Sequence, residues 1–138
     1  MDEKQIQMLI ETAFEQLQFS YAPYSNFKVG AALLCENDRV YTGCNIENAA
    51  FTPSNCAERT AIFKAISEGV HDFKAICVVG GPKGEIKDFC PPCGVCRQVM
   101  SEFCKLESFE IILARSREDY RIYLLKDLLP LSFGMNIE

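Results

Sequence analysis

The sequence has no tryptophan and only one histidine, His71, among its 138 residues. A site for a metal that prefers nitrogen or sulfur ligands would therefore have to be built mostly from cysteine. The sequence also lacks an excess of positive charge, since 14 Lys and Arg face 19 Asp and Glu and the net charge is −5. This balance disfavours binding to duplex nucleic acid, which depends on neutralising phosphates.

Long apolar runs are absent as well. No segment approaches the ~18 apolar residues that a membrane-spanning helix needs. The first residues do not combine a basic segment with an apolar one, as a secretory signal would. We find no internal repeat and no linker rich in Pro, Gly or Ser. Because 138 residues suit one core, we expect a single domain over residues 1–138. With neither a membrane span nor a secretory signal recognised, we expect a cytoplasmic protein that is not bound to a membrane.

Cysteine is the residue type that the sequence has in excess, with eight copies. In a small secreted protein such a number predicts a disulfide scaffold, whereas in a cytoplasmic protein with an ample core it favours metal binding or simple burial. Apolar residues make up 49% of the chain, so the core is ample. We predict that five cysteines are buried and inert: Cys35, Cys44, Cys77, Cys90 and Cys104.

Hydrophobic periodicity predicts an alternation of helices and strands. We expect helices over residues 2–19, 56–68 and 93–103, with Gly69 ending the second, and a short helical turn over 126–130. Strands are expected over 28–35 and 39–46, as a hairpin, and over 73–79, 110–114 and 121–125. This order predicts an α/β fold, a three-layer α/β/α sandwich with a mixed sheet of about five strands.

Two short segments carry the residue types of a metal site. Cys93 and Cys96 are three residues apart at the start of a predicted helix, so their side chains share one face. Cys56 would supply a third thiolate from the start of another helix, where the pKa of a thiol is lowered. Catalytic zinc commonly has three protein ligands and one water molecule. A Cys-x-Glu segment about 35 residues before a Cys-x-x-Cys segment is typical of zinc-dependent nucleobase deaminases.

Other interpretations of these cysteines remain open at this point. A Cys-x-x-Cys segment alone also occurs as a redox motif or as two buried cysteines. Cys90 could join Cys56, Cys93 and Cys96 in a closed structural site with four thiolates. Pro91-Pro92 argues against this, because proline imposes an extended path that carries Cys90 away from the helix.

Several segments resemble the small, homotetrameric cytidine deaminases of the three-cysteine zinc type. Residues 56–61 (CAERTA) and 92–98 (PCGVCRQ) are similar to the two zinc motifs of that family. Residues 24–33 (YSNFKVGAAL) resemble its first loop and strand, and residues 43–49 (GCNIENA) its nucleoside-binding segment. Residues 128–134 (LLPLSFG) resemble its C-terminal signature. The resemblance covers nearly the whole chain in the right order.

The resemblance implies a zinc-dependent enzyme of pyrimidine salvage that hydrolyses cytidine and deoxycytidine to uridine and deoxyuridine, with release of ammonia. It implies one Zn²⁺ per subunit, held by Cys56, Cys93 and Cys96, and a proton shuttle, Glu58. It implies substrate contacts from Asn45, Ile46 and Glu47 in the nucleoside-binding segment. Of these, Asn45 and Glu47 would bind the ribose, chiefly its 3′-hydroxyl. Phe27 would pack on the base, and the N–H of Ala57 would bind the base carbonyl. Phe133 is similar to a residue that reaches a neighbouring subunit, which implies a homotetramer with shared active sites.

The charge of the predicted zinc site adds one more residue. Three thiolates around Zn²⁺ leave a formal charge of −1, which makes a bound water less acidic than three neutral imidazoles would. Arg59, directly after Glu58, and the two helix N-termini are the candidates to offset this charge. Two rival functions are kept: the same chemistry on a nucleotide, a nucleoside antibiotic or an RNA base, and a non-enzymatic zinc module with a fourth protein ligand.

Overall fold

The structure, a computed structural model, describes residues 1–136. Its five strands are β1 (Phe27–Cys35), β2 (Val40–Cys44), β3 (Phe73–Pro82), β4 (Glu110–Ala114) and β5 (Tyr120–Leu124). Its helices are α1 (Glu3–Glu15), α2 (Ala57–Ser67), α3 (Gly94–Phe103) and the short α4 (Leu125–Leu128), with a 3₁₀ turn at Gln16–Phe19 after α1. No helix within residues 1–136 is both long and apolar enough to span a bilayer.

The strands form one sheet in the order β2-β1-β3-β4-β5. β3 and β4 are parallel and are joined through α3, whereas the other neighbouring pairs are antiparallel. A parallel pair needs a crossover connection, and the helix that begins at the second cysteine segment provides it. The predicted fold class, a mixed sheet of about five strands between helices, is confirmed.

Alternate residues of the strands point to opposite faces of the sheet, and both faces are covered. Ala32 and Leu34 of β1 pack in the core cluster under α1, whereas Ala31 and Leu33 pack in the cluster under α2 and α3. β3 and β4 alternate in the same way between the two clusters. Burial on both faces explains why the strands read in the sequence as continuous apolar runs.

α1 follows the predicted apolar stripe but is shorter than predicted. Asp2 caps it, with a side-chain oxygen that accepts from the Gln5 N–H, while the Gln5 side chain accepts from the Asp2 N–H. Its buried positions are Ile6, Leu9, Ile10 and Ala13. The α-helix ends at Glu15, and the residues up to Phe19 form a 3₁₀ turn rather than a continuation of the helix.

The boundaries of β1, β2, β3 and β5 differ from the prediction by one to three residues, and the largest difference is at the end of β3. β3 continues to Pro82, because the first residues of β1 pair with it as far as Phe27–Pro82. A Gly-Gly-Pro sequence predicts a turn, but a partner strand is available there and keeps the segment extended. β5 ends at Leu124, and Leu125 begins α4 with its side chain fully buried.

Gly43 on β2 sets the position of α2. A side chain at this residue would overlap the Ala57 carbonyl oxygen and the Ala61 nitrogen. The first turn of α2 can therefore lie directly on the backbone of β2. This close approach brings Cys56 and Glu58, at the start of α2, to the end of the sheet where α3 also begins.

Candidate active site

The sulfurs of Cys56, Cys93 and Cys96 lie together at the start of two helices. Cys56 is the N-cap of α2, Cys93 is the N-cap of α3, and Cys96 lies in the first turn of α3. The Cys56–Cys93 Sγ distance is 3.8 Å, the Cys93–Cys96 Sγ distance is 3.4 Å, and all three sulfurs lie within 4.8 Å of one another. Zinc at ~2.3 Å from each sulfur in a tetrahedron requires sulfurs ~3.8 Å apart. The cluster therefore fits zinc.

The three thiols interact electrostatically before any metal is considered. A hydrogen bond with Cys96, together with the Arg59 guanidinium, lowers the pKa of the Cys56 thiol. The hydrogen bond to Cys56, with burial, raises the pKa of Cys96. Because a thiol must lose its proton to bind a metal, metal binding here releases protons and becomes tighter as pH rises.

Cys90 lies near this cluster but outside it, and it is only partly buried, on the wall of the adjoining cavity, rather than fully buried as predicted. Its Sγ packs against Gly80 of β3, where a Cβ atom would stand 2.8 Å away. Burial raises the pKa of the Cys90 thiol to about 12. Within residues 1–136, the one group of potential ligand atoms close enough to hold a metal consists of Cys56, Cys93 and Cys96. The arrangement thus leaves the fourth position of a tetrahedral ion without a protein sulfur.

The remaining four cysteines are buried, as predicted, and burial raises the pKa of each thiol: Cys35, Cys44, Cys77 and Cys104. His71 is exposed, at the other end of β3 from the cluster. None of these residues belongs to the sulfur cluster within the described part of the chain.

Glu58 is the one buried charged side chain in residues 1–136, with 4% of its surface exposed. It lies in the first turn of α2, two residues after Cys56. Burial raises the pKa of its carboxyl to about 7, its own backbone N–H opposes this, and the nearby Cys56 adds to it. A carboxyl with a pKa near neutrality can both accept and return a proton under ordinary conditions.

Arg59 lies against the sulfur cluster. Its Nη2 donates a hydrogen bond of 3.2 Å to Cys56 Sγ. The buried Nε of Arg59 has no hydrogen-bond partner among residues 1–136. The guanidinium therefore brings a positive charge directly to one of the three sulfurs.

A cavity of about 480 Å³ connects the sulfur cluster with the end of β2. Its wall includes seven of the predicted site residues: Asn45, Glu47, Cys56, Ala57, Glu58, Arg59 and Cys93. Cys96 is buried beneath it. The remaining wall residues are not among the predicted site residues: Val29, Phe51, Thr52, Ser54, Asn55, Cys90, Pro91 and Val95. The signal that could have found several of them is their position in the loop between β2 and α2, which joins Glu47 to Cys56.

The amide of Asn45 is held by backbone and hydroxyl groups. Its Oδ1 accepts from the Val29 N–H at 2.9 Å and from the Ser20 hydroxyl. Its Nδ2 donates to the Phe27 carbonyl at 2.7 Å. Because an amide nitrogen has two hydrogens, one donor of Asn45 remains available toward the cavity.

The carboxylate of Glu47 is held by the loop before β1. Its Oε1 accepts from the N–H groups of Tyr24 and Ser25, at 3.0 and 3.1 Å, and its Oε2 accepts from the Ser25 hydroxyl. The hydrogen bonds with Ser25 are the main reason that the pKa of Glu47 is lowered. Glu47 therefore stays negative and acts as an acceptor.

Three predicted substrate contacts do not lie on the cavity wall. Phe27, Ile46 and Phe133 are exposed, and none of them is part of the cavity lining. The Phe27 carbonyl nevertheless contacts Asn45, and the Phe133 carbonyl accepts from Gln98 Nε2 on α3 at 3.0 Å. The roles given to these three side chains stay predictions.

Comparison with known proteins agrees with this geometry. Residues 3–110 match the family model for the cytidine and deoxycytidylate deaminase zinc-binding region. A cytidine deaminase of Sporosarcina psychrophila is 45% identical over 129 residues, which cover 94% of this chain and 91% of that protein.

Solved structures agree in the same way. The crystal structure of cytidine deaminase from Burkholderia pseudomallei is 47% identical and superposes with a TM-score of 0.83, covering 91% of this chain and 97% of that one. Cytidine deaminase from Mycobacterium tuberculosis is 38% identical, with a TM-score of 0.77 and coverage of 93% and 96%.

The match to a zinc-binding family, together with the sulfur cluster, confirms the predicted zinc cofactor. The family match, the identity to these relatives and the similarity of the folds agree with one another. The chain belongs to the cytidine and deoxycytidylate deaminase family.

Proposed function

We propose that this enzyme deaminates cytidine and deoxycytidine hydrolytically to uridine and deoxyuridine, with release of ammonia, in pyrimidine salvage. One observation carries the proposal: a buried carboxyl, Glu58, lies in the same cavity as three sulfurs spaced for zinc. A deaminase needs both an activated water and a group that moves its proton. A structural zinc module needs neither a buried carboxyl nor a cavity at the metal.

In this proposal Cys56, Cys93 and Cys96 hold the zinc, which when bound supplies Lewis-acid activation of a water molecule. Glu58 would take one proton from that water and give it to N3 of the cytosine ring. It would then take the second proton, from the hydroxyl added at C4, and deliver it to the amine as the C4–N bond breaks and ammonia leaves. The pKa of Glu58, about 7, suits both directions of transfer. Arg59 offsets the negative charge of the three thiolates through its contact with Cys56.

The polar groups of the cavity support a nucleoside as the substrate. Asn45 has one free N–H that can donate to a ribose hydroxyl. The same hydroxyl can donate to the free acceptor position of the Glu47 carboxylate. The N–H of Ala57, in the first turn of α2, has no acceptor within the helix and is available for the base carbonyl. Ile46 lies between Asn45 and Glu47, and we propose Phe27 as the contact to the base.

The charges of the cavity argue against a nucleotide. Glu47 and Glu58 are acidic, and the one basic residue on the wall, Arg59, is engaged with Cys56 within the described chain. A 5′-phosphate near Glu47 would meet repulsion without a cation to balance it. Among the two substrate classes of the family, this favours cytidine over deoxycytidylate.

We further propose that the chain works as a single catalytic domain within a homotetramer, with active sites shared between subunits. Support comes from large exposed apolar side chains near the C-terminal segment and the cavity: Phe51, Leu131, Phe133 and Met135. Because Phe133 does not reach the cavity of its own chain, it is available to that of another copy. All eight cysteines are unpaired, which suits the reducing cytoplasm.

A substrate panel tests the proposed function. Purified protein with its zinc quantified is assayed for ammonia release from cytidine, deoxycytidine, CMP, cytosine and adenosine. We expect turnover of the first two and little from the others. Efficient turnover of CMP would move the assignment to a nucleotide deaminase, and no turnover of any substrate by zinc-loaded protein would contradict the proposal. Native mass spectrometry of the same sample tests the tetramer.

A further inference from the structure

Ser25 lies in the loop before β1 and is hydrogen-bonded to Glu47 and Phe27, two residues proposed to contact the nucleoside. Its hydroxyl donates to Glu47 Oε2 and accepts from the Phe27 N–H at 3.0 Å. Its own N–H donates to Glu47 Oε1 at 3.1 Å. One serine thus makes three hydrogen bonds that join Glu47 to the start of β1.

The hydrogen bonds to Glu47 decide which of its lone pairs faces the substrate. Each carboxylate oxygen accepts about two hydrogen bonds. The N–H groups of Tyr24 and Ser25 fill both positions on Oε1, and the Ser25 hydroxyl fills one on Oε2. A single acceptor position remains, on Oε2. Without the hydroxyl, Oε2 would have two open positions and water could compete for both.

We propose that Ser25 is a positioning residue, whose hydroxyl orients the Glu47 carboxylate so that the free lone pair of Oε2 meets a ribose hydroxyl. The inference rests on the proposed function, because it takes Glu47 to be the group that accepts from the ribose. Ser25 itself does not line the main cavity. It acts on the substrate through Glu47.

The loop has other tethers, so this hydroxyl is not needed to fold it. The Asn26 N–H donates to the Ala22 carbonyl at 2.9 Å, and the Lys83 N–H donates to the Asn26 carbonyl at 2.6 Å. Ser25 is exposed and fills no space in the core. Removing its hydroxyl therefore leaves the turn within the loop closed and the loop attached to the turn after β3.

The test compares two substrates that differ only in the 3′-hydroxyl, cytidine and 3′-deoxycytidine. We expect Ser25→Ala to raise KM for cytidine roughly tenfold, the cost of a weakened hydrogen bond to a charged group, with kcat and zinc content unchanged. The increase should largely disappear with 3′-deoxycytidine, and Ser25→Thr should restore KM. Ser116→Ala is the matched control, because that hydroxyl accepts from the main chain in the loop between β4 and β5, away from the cavity.

Glu47→Ala, assayed with the same two substrates, separates the possible failures. If Glu47→Ala raises KM by the same factor for both substrates, Glu47 does not bind the 3′-hydroxyl. This contact of the proposed function then fails together with the inference. The other case is that Glu47→Ala raises KM more for cytidine than for 3′-deoxycytidine. If Ser25→Ala then leaves KM unchanged, or raises it equally for both substrates, the inference alone is overturned.

Discussion

The two ends of the cavity are built in different ways. The zinc end is formed by five residues that stand at the starts of two helices: Cys56, Glu58, Arg59, Cys93 and Cys96. Its three sulfurs and the Arg59 guanidinium contact one another. At the end that we propose to bind the ribose, called the ribose end and formed by Ser25, Asn45 and Glu47, the side chains are held mostly by main-chain groups of strands and loops.

This difference separates the energetics of the two ends. The zinc end is partly buried, and its charged groups lie close together. The loss of one group therefore changes the electrostatic environment of the others. The ribose end is more exposed, and its groups act as separate hydrogen-bonding partners. We therefore expect changes at the zinc end to reduce kcat and changes at the ribose end to raise KM.

The largest effect should come from removing a sulfur. Cys96→Ser nearly conserves volume but replaces a soft thiolate ligand by a hydroxyl, so we expect bound zinc to fall to a small fraction of one per chain and turnover to become undetectable. Elemental analysis with an ammonia assay measures both. Cys104→Ala is the matched control, a buried cysteine outside the cluster. Retention of full zinc by Cys96→Ser would remove Cys96 from the ligand set.

Glu58→Gln should come next in size. The amide keeps the shape of the side chain but cannot carry a proton between water and base, so we expect kcat to fall by ~10²–10⁴-fold. Zinc content and KM should change little, because Gln occupies the same position. Steady-state kinetics on zinc-loaded protein measures the effect, and activity equal to wild type would contradict the shuttle role.

The contrast with the ribose end is sharpest for Glu47→Ala. We expect KM for cytidine to rise by roughly 10–100-fold, because a charged acceptor of a substrate hydroxyl is lost, with kcat within about threefold of wild type. Initial rates over a wide range of cytidine concentrations separate the two parameters. A large fall in kcat with unchanged KM would mean that the two ends do not differ in the way described.

Arg59→Ala should have the smallest effect at the zinc end. The guanidinium contacts Cys56 and is not one of the three proposed zinc ligands, so we expect kcat to fall roughly tenfold while zinc is retained. Arg59→Lys should recover part of the rate if charge is what matters. Full activity of the alanine variant would remove Arg59 from the account.

The sequence predicted the cluster of three sulfurs at the zinc end because its signals are local. Cys56 and Cys93 cap helices whose starts are marked by residue type and spacing, and Cys96 follows within one turn. The exposed or buried state of Glu58 was not predictable in this way. It depends on how closely α2 packs on β2, which Gly43 permits through contacts between distant segments.

The ribose end was predictable only in part. Resemblance pointed to Asn45 and Glu47, but nothing in the pattern indicated Ser25, because its link to Glu47 joins residues 22 apart through main-chain and hydroxyl groups. Likewise, local turn propensity could not predict that β3 continues to Pro82, since that extension depends on pairing with Phe27. Contacts of this kind follow from the register of the sheet.

The central claim is that three sulfurs hold zinc and leave one position for solvent. X-ray absorption at the zinc edge of the purified, active protein tests it most directly. We predict that the zinc ion has three sulfur neighbours at ~2.3 Å and one nitrogen or oxygen neighbour at ~2.0 Å. Four sulfur neighbours, or active protein that contains no metal, would contradict it.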